Sequence, residues 1–93
     1  MASRYQYHTL EFTEIFLEDL VSQDFNPADR RGFIRALRLL DTNEKHPSLR
    51  VHELQEPLAG VWSASPPDQL RLTFERLVGG NKLMLTCSRH YER

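Results

Sequence analysis

Three- and four-residue spacings of apolar positions dominate the first half of the chain and alternate spacings the second. Arg4 to Leu10 alternates weakly and carries Tyr5, Tyr7 and Thr9, which predicts a first strand. From Glu11 to Ser22 the residues Phe12, Ile15, Phe16 and Leu20 recur at helical spacing, with Glu11, Glu14 and Glu18 on the other side, so an amphipathic helix is expected there. Asn26-Pro27 starts a second helix: the Asn side chain can accept from an unpaired amide, Pro suits the first helical position, and Asp29 complements the dipole in the first turn. This helix buries Phe33, Ala36 or Leu37, and Leu40, and ends at Asp41-Thr42-Asn43 before Pro47.

Beyond Pro47 the period becomes two. Leu49 to Leu54, Val61 to Ala64, Gln69 to Leu77 and Lys82 to Arg89 are predicted strands, separated by Pro57 and Gly60, by Pro66-Pro67-Asp68 and by the hairpin residues Gly79-Gly80-Asn81. The resulting order, β-α-α-β-β-β-β, predicts an α+β fold in which a mainly antiparallel sheet packs one face on an N-terminal helical hairpin, residues 1–93 forming one domain.

Alternation then sorts the late residues between faces. Leu70, Leu72 and Phe74 are expected in the core, with Arg71, Thr73 and Glu75 facing away. In the last strand Leu83, Leu85 and Cys87 take the core side and Met84, Thr86, Ser88 and His90 the other, so Arg71 and His90 are expected on one uncovered face. A permanently charged guanidinium and an imidazole that titrates near neutrality are the groups needed to hold a phosphate and move a proton. Trp62 and Tyr91 offer planes for base stacking, although a large aromatic in a short strand is needed first for packing at the core; for Arg71 phosphate contact is favoured over a surface pair with Glu75.

Composition narrows the functional classes. With 40% hydrophobic and 27% charged residues the chain is too apolar to remain disordered, and its one cysteine, Cys87, excludes an internal disulfide. No Cys and His tetrad stands at zinc-ligand spacing, so neither a metal nor another cofactor is expected. No signal peptide and no apolar run near the roughly 20 residues of a membrane span is present, which predicts a cytoplasmic protein without membrane contact. The net charge of −1 conceals a division: up to Asp29 one basic residue faces six acidic ones, and beyond it eleven Lys and Arg face seven Asp and Glu. A basic surface is therefore possible on a near-neutral molecule. Arg30, Arg31, Arg35 and Arg38 form the wet side of the second helix or a basic surface for an acidic partner.

The runs His46-Pro47-Ser48-Leu49-Arg50-Val51-His52-Glu53-Leu54, Leu58-Ala59-Gly60-Val61-Trp62-Ser63, Leu70-Arg71-Leu72-Thr73-Phe74 and Cys87-Ser88-Arg89-His90-Tyr91 resemble, in order and spacing, the C-terminal half of the RelE/ParE toxin superfamily, with the YoeB-like branch closest. The resemblance implies the toxin of a type II toxin–antitoxin system, partnered by an antitoxin protein, and an endoribonuclease (mRNA interferase) that cuts messenger RNA on the ribosome and inhibits translation without metal. Carried over, His90 takes the role of general acid or base, Arg71 binds phosphate, and Tyr91 orients substrate or stacks a base. Arg50, His52, Trp62 and Arg89 are the remaining RNA-binding candidates. The branch's glutamate base precedes the Gly-x-Trp-Ser element, where His52 stands with Glu53 beside it. Either Glu53 takes the role through a shifted register, or His52 replaces it, or the site is impaired. Two features depart from RNA-cutting relatives: a pI near 6.4 and Ala64-Ser65-Pro66-Pro67 where Arg or Lys often follows the Trp-Ser pair. They favour a non-nuclease alternative of the same fold, a gyrase-inhibiting ParE-like toxin or a catalytically decayed one.

Overall fold

The computed structural model describes residues 5–22, 24–67 and 69–89. They form strand β1 (Leu10–Phe12), helices α1 (Glu14–Leu20) and α2 (Pro27–Thr42), a 3-10 turn at Pro47–Leu49, and strands β2 (His52–Glu53), β3 (Val61–Ala64), β4 (Leu70–Arg76) and β5 (Lys82–Arg89). One five-stranded sheet has the order β1-β5-β4-β3-β2; β1 runs parallel to β5 and every other pair is antiparallel. This is the expected α+β architecture, with α1 lying along β5 and α2 along β4.

The second helix starts as the sequence indicates. Asn26 Oδ1 accepts from the Asp29 amide at 2.8 Å, Asp29 Oδ2 accepts from the Asn26 amide at 3.3 Å, and Pro27 occupies the first helical position. Phe33, Ala36, Leu37 and Leu40 are buried with Leu70, Leu72, Phe74 and Met84 of the sheet in one core. Burying each large side chain is worth about 1.5–3 kcal/mol, so this face of the helix holds it on the sheet.

At the N-terminus the boundaries differ from the predicted ones. Residues 5–9 are not a strand, because they answer to a single carboxylate at the end of α2: Asp41 accepts from the Tyr5 hydroxyl at 2.8 Å, the Thr9 amide at 2.7 Å, the Thr9 hydroxyl at 2.7 Å and the His8 amide at 3.1 Å. Burial alone would raise the Asp41 pKa, but these hydrogen bonds outweigh it and hold the group down at about 2. The first helix begins three residues later than expected because Thr13 caps it: its hydroxyl accepts from the Phe16 amide at 3.1 Å and donates to the Met84 carbonyl at 2.9 Å. That start buries Phe16 and turns Ile15, an expected core residue, 62% to solvent.

Most of the predicted strand from Leu49 to Leu54 is also absent. Pro47–Leu49 is a 3-10 turn whose N-cap, the His46 ring, accepts from the Ser48 amide, and Arg50 closes it in the left-handed region at φ 48°. Only His52–Glu53 pairs as β2, continued by the Leu54 amide donating to the Val61 carbonyl at 2.8 Å.

The alternation predicted for the last strand holds in one half and inverts in the other. Thr73 pairs with Thr86 and Phe74 with Met84, so Leu85 is an extra residue in β5. Past this bulge Cys87 faces the core and Thr86 and Ser88 face away, as predicted; before it, Met84 is fully buried and Leu83 is the outward residue. Lys82 is buried because its ammonium lies 3.5 Å from Glu44 and donates to the Thr9 hydroxyl at 3.1 Å.

Candidate functional site

The sheet face away from the helices carries a row of polar side chains whose positions follow from register. Ser63 pairs with Thr73, Thr73 with Thr86, and Arg71 with Ser88, while His52 of the edge strand β2 pairs with Ser63. Paired residues share a face, so His52, Ser63, Thr73, Arg71, Thr86 and Ser88 belong to one surface. The hydroxyls of Thr73 and Thr86 are 2.5 Å apart and hydrogen-bonded.

Two atoms of this row are unusual. Ser63 is fully buried, yet its Oγ has no hydrogen-bond partner among the described residues, and Arg71 Nε is likewise buried and unpaired. Leaving such a group unsatisfied costs about 1–3 kcal/mol. Native structures tolerate few of these atoms, and each calls for an explanation such as a water, an ion or a functional role; Arg30 Nε on α2 is a third, and the two here are set apart by sharing one face. A guanidinium N–H and a hydroxyl on one face suit an anionic oxygen. The His52 ring is oriented by its Nδ1, 3.0 Å from the Arg50 carbonyl, which can only accept; Nδ1 is therefore the donor, and Nε2 is the ring nitrogen left for a substrate.

The other residues singled out in the sequence occupy different places. Glu53 pairs with Trp62, and its carboxylate accepts from the Gly60 amide at 2.9 Å, tying off the β2–β3 turn on the helix side of the sheet. Trp62 pairs with Phe74 and packs against the core, its ring covered by the Arg76 guanidinium at 4.2 Å. Arg76 in turn makes a two-pronged pair with Glu44, at 2.6 and 3.2 Å, which holds the Glu44 carboxyl below its usual range. Arg50 and Trp62 border a shared open groove of about 390 Å³ together with Lys45 and His46. Arg89 faces the helices and pairs with Asp29 at 2.5 Å. Arg71 and His52 therefore share the open face, and Glu53, Trp62 and Arg89 do not. His90 and Tyr91 lie outside the described residues. Cys87 is buried, and loss of solvent, reinforced by Asp19, pushes its thiol up to about 12, so it stays protonated. Among the described residues no group of three or more His, Cys, Asp or Glu is arranged to hold a metal ion.

Sequence reasoning placed Thr73 and Thr86 on the open face without giving them a role, and it missed Ser63. The signal was present: Ala64 opposite the core residue Leu72 puts Ser63 in the other phase, but a serine among small residues carries no chemical mark until its burial is known.

No protein-family model matches the chain, and no curated protein sequence matches it. Solved structures do. A YoeB/ParE toxin from Agrobacterium tumefaciens superposes with a TM-score of 0.70 at 17% identity, over 90% of this chain and 100% of that one. The YoeB–YefM complex from Staphylococcus aureus gives 0.69 at 19% identity, over 94% and 100%. YafQ from E. coli strain BL21(DE3) gives 0.61 at 16% identity, over 90% and 93%. The fold predicted from strand and helix order is thus the fold of the YoeB and YafQ toxins, along nearly the whole chain.

Proposed function

We propose that this chain is the toxin of a type II toxin–antitoxin pair, a RelE/YoeB-like endoribonuclease that cuts messenger RNA on the ribosome by acid–base chemistry. The observation that carries the reading is the unpaired, buried Arg71 Nε beside a row of hydroxyls on the sheet's open face. The ribose 2′-hydroxyl attacks the adjacent phosphate, Arg71 stabilises the added negative charge, and His90 protonates the departing 5′-oxygen. For the base, the Nε2 of His52, the ring nitrogen not engaged with Arg50, and its register opposite Ser63 support His52 over Glu53, whose carboxylate is engaged with Gly60. Tyr91 then orients the substrate. An antitoxin that covers the open face holds the toxin inactive, and both partners meet in the cytoplasm.

The test is induction of the wild type, Arg71→Ala, His52→Ala and His90→Ala in a bacterial host, with growth followed and new transcript 5′ ends mapped. Codon-positioned cuts are expected in the wild type, with a reduction of about 100- to 10,000-fold in the His52 and His90 variants and a loss of about 100- to 1,000-fold in the Arg71 variant. Arrest with intact transcripts and DNA-damage signalling overturns the nuclease in favour of a gyrase inhibitor, and no arrest points to a decayed toxin. One observation favours these non-nuclease readings: the segment after Ser63 supplies buried Ala64 and Pro66, and the Ser65 amide binds the Leu49 carbonyl, so no cation follows the Trp-Ser pair.

A further inference from the structure

Strand β5 outruns its parallel neighbour. The register of β1 stops at Phe12 opposite Met84, after which the Thr13 amide caps the Met84 carbonyl and the chain departs into α1. Strand β5 continues to Arg89, paired on its other side with β4 as far as Leu70. The Lys82 amide, bonded to the Thr9 carbonyl, and the Met84 carbonyl show which residues direct their backbone toward β1. In a strand, residues that share a side-chain face also share the direction of their hydrogen bonds. Lys82, Met84, Cys87 and Arg89 share the helix-side face once the bulge at Leu85 is counted. Cys87 and Arg89 therefore direct their N–H and C=O groups outward past the end of β1, where no described backbone group meets them.

Beside this edge lies an open groove of about 570 Å³. Thr86 and Ser88 from one face of β5 and Cys87 and Arg89 from the other all border it, so it runs alongside the strand and not over either face. Its far wall carries Asp19 and Asp24, and the guanidinium of Arg89 is already neutralised by Asp29, which leaves the groove acidic.

We propose that this edge accepts a strand from another polypeptide, an extended segment carrying Lys or Arg at alternate positions. Main-chain hydrogen bonds to Cys87 and Arg89 supply pairing, and Asp19 and Asp24 select the basic side chains. A second copy of this chain is a poor occupant, because edge-to-edge pairing sets the two acidic walls against each other. The inference does not rest on the open face cleaving RNA: the two surfaces meet at Thr86 and Ser88, but the pairing groups of Cys87 and Arg89 and the carboxylates of Asp19 and Asp24 belong to the edge alone.

The test titrates the isotope-labelled full chain with an octapeptide alternating Thr and Lys and with its Thr and Glu counterpart, following backbone amide signals and hydrogen exchange. The Thr-Lys peptide is expected to shift and protect the Cys87 and Arg89 amides and to bind at least tenfold more tightly than the Thr-Glu peptide. The Asp19→Lys/Asp24→Lys variant should reverse that preference, and its spectrum reports whether it is folded. The wild-type comparison of the two peptides stands even if it is not. Absence of change at Cys87 and Arg89, protection at His52 and Glu53 instead, equal binding of both peptides, or concentration-dependent protection without peptide would each overturn the proposal.

Discussion

Asp41 shows how one carboxylate replaces a length of strand. Its oxygens accept from Tyr5, His8 and Thr9, so the segment before β1 is held by hydrogen bonds to α2 and needs no sheet neighbour. The same contact, seen from the phenol, raises the Tyr5 pKa. Folding lowers the Asp41 pKa from 3.8 to about 2, so the folded chain takes up this proton at lower pH than the unfolded chain. The contribution, about 2 kcal/mol, is complete above roughly pH 4 and is lost as pH falls through about 2. Asp41→Asn should destabilise the protein by about 2 kcal/mol at pH 7, since an amide offers one acceptor to several donors. Urea unfolding at pH 7 and pH 3 checks both points: the wild type should lose more stability than the variant over that interval, and equal losses would place the acid sensitivity elsewhere.

At the scale of elements, β4 and β5 separate what periodicity can and cannot convey. In β4 burial alternates from Leu70 to Glu75, and the buried Leu70, Leu72 and Phe74 with the outward Arg71 and Thr73 were legible directly. In β5 Leu83 and Leu85 imitate an inward pair, but the bulge between them and Cys87 turns Met84 and Lys82 inward instead. A bulge leaves no mark in the apolar pattern, and an inward Lys82 is stable only because Glu44, distant in sequence, meets it. Helix α2 was legible because its cap, Pro and dipole charge are local. The start of α1 was not, since Thr13 is fixed partly by a carbonyl of β5. At the site, alternation brought out Arg71 and the family resemblance His52, whereas Ser63 needed three-dimensional burial to be noticed. The bulge gives a test by substitution. Met84→Ala should cost about 2–5 kcal/mol, as for a filled core position, and Leu83→Ala less than about 1. Denaturant midpoints decide it, and the reverse ranking would remove the bulge.

Within the sheet the cations Arg76, Lys82, Arg89 and Arg71 fall into two uses. On the helix side Arg76, Arg89 and Lys82 are each paired with Glu44 or Asp29, and Arg76 also covers Trp62, so these charges fasten strands to helices. On the open side Arg71 has a buried Nε with no partner among the described residues, and the adjacent Ser63 hydroxyl repeats that condition. Unmet donors destabilise the free protein and become favourable only when an anion arrives, so stability and function should respond in opposite directions to substitution here. Arg71→Met keeps most of the apolar stem and removes the unmet donor. Its thermal midpoint should be equal to or higher than that of the wild type, while the cleavage proposed for this chain should be lost. Trp62→Ala, in contrast, removes the surface on which Arg76 rests and should lower the midpoint by the several degrees that about 2–4 kcal/mol represents in a chain of this size. Calorimetry of both variants beside a cleavage assay separates the roles. A midpoint that falls as far for Arg71→Met as for Trp62→Ala would show that Arg71 belongs to the scaffold, and the open face would then have no reserved place for a phosphate.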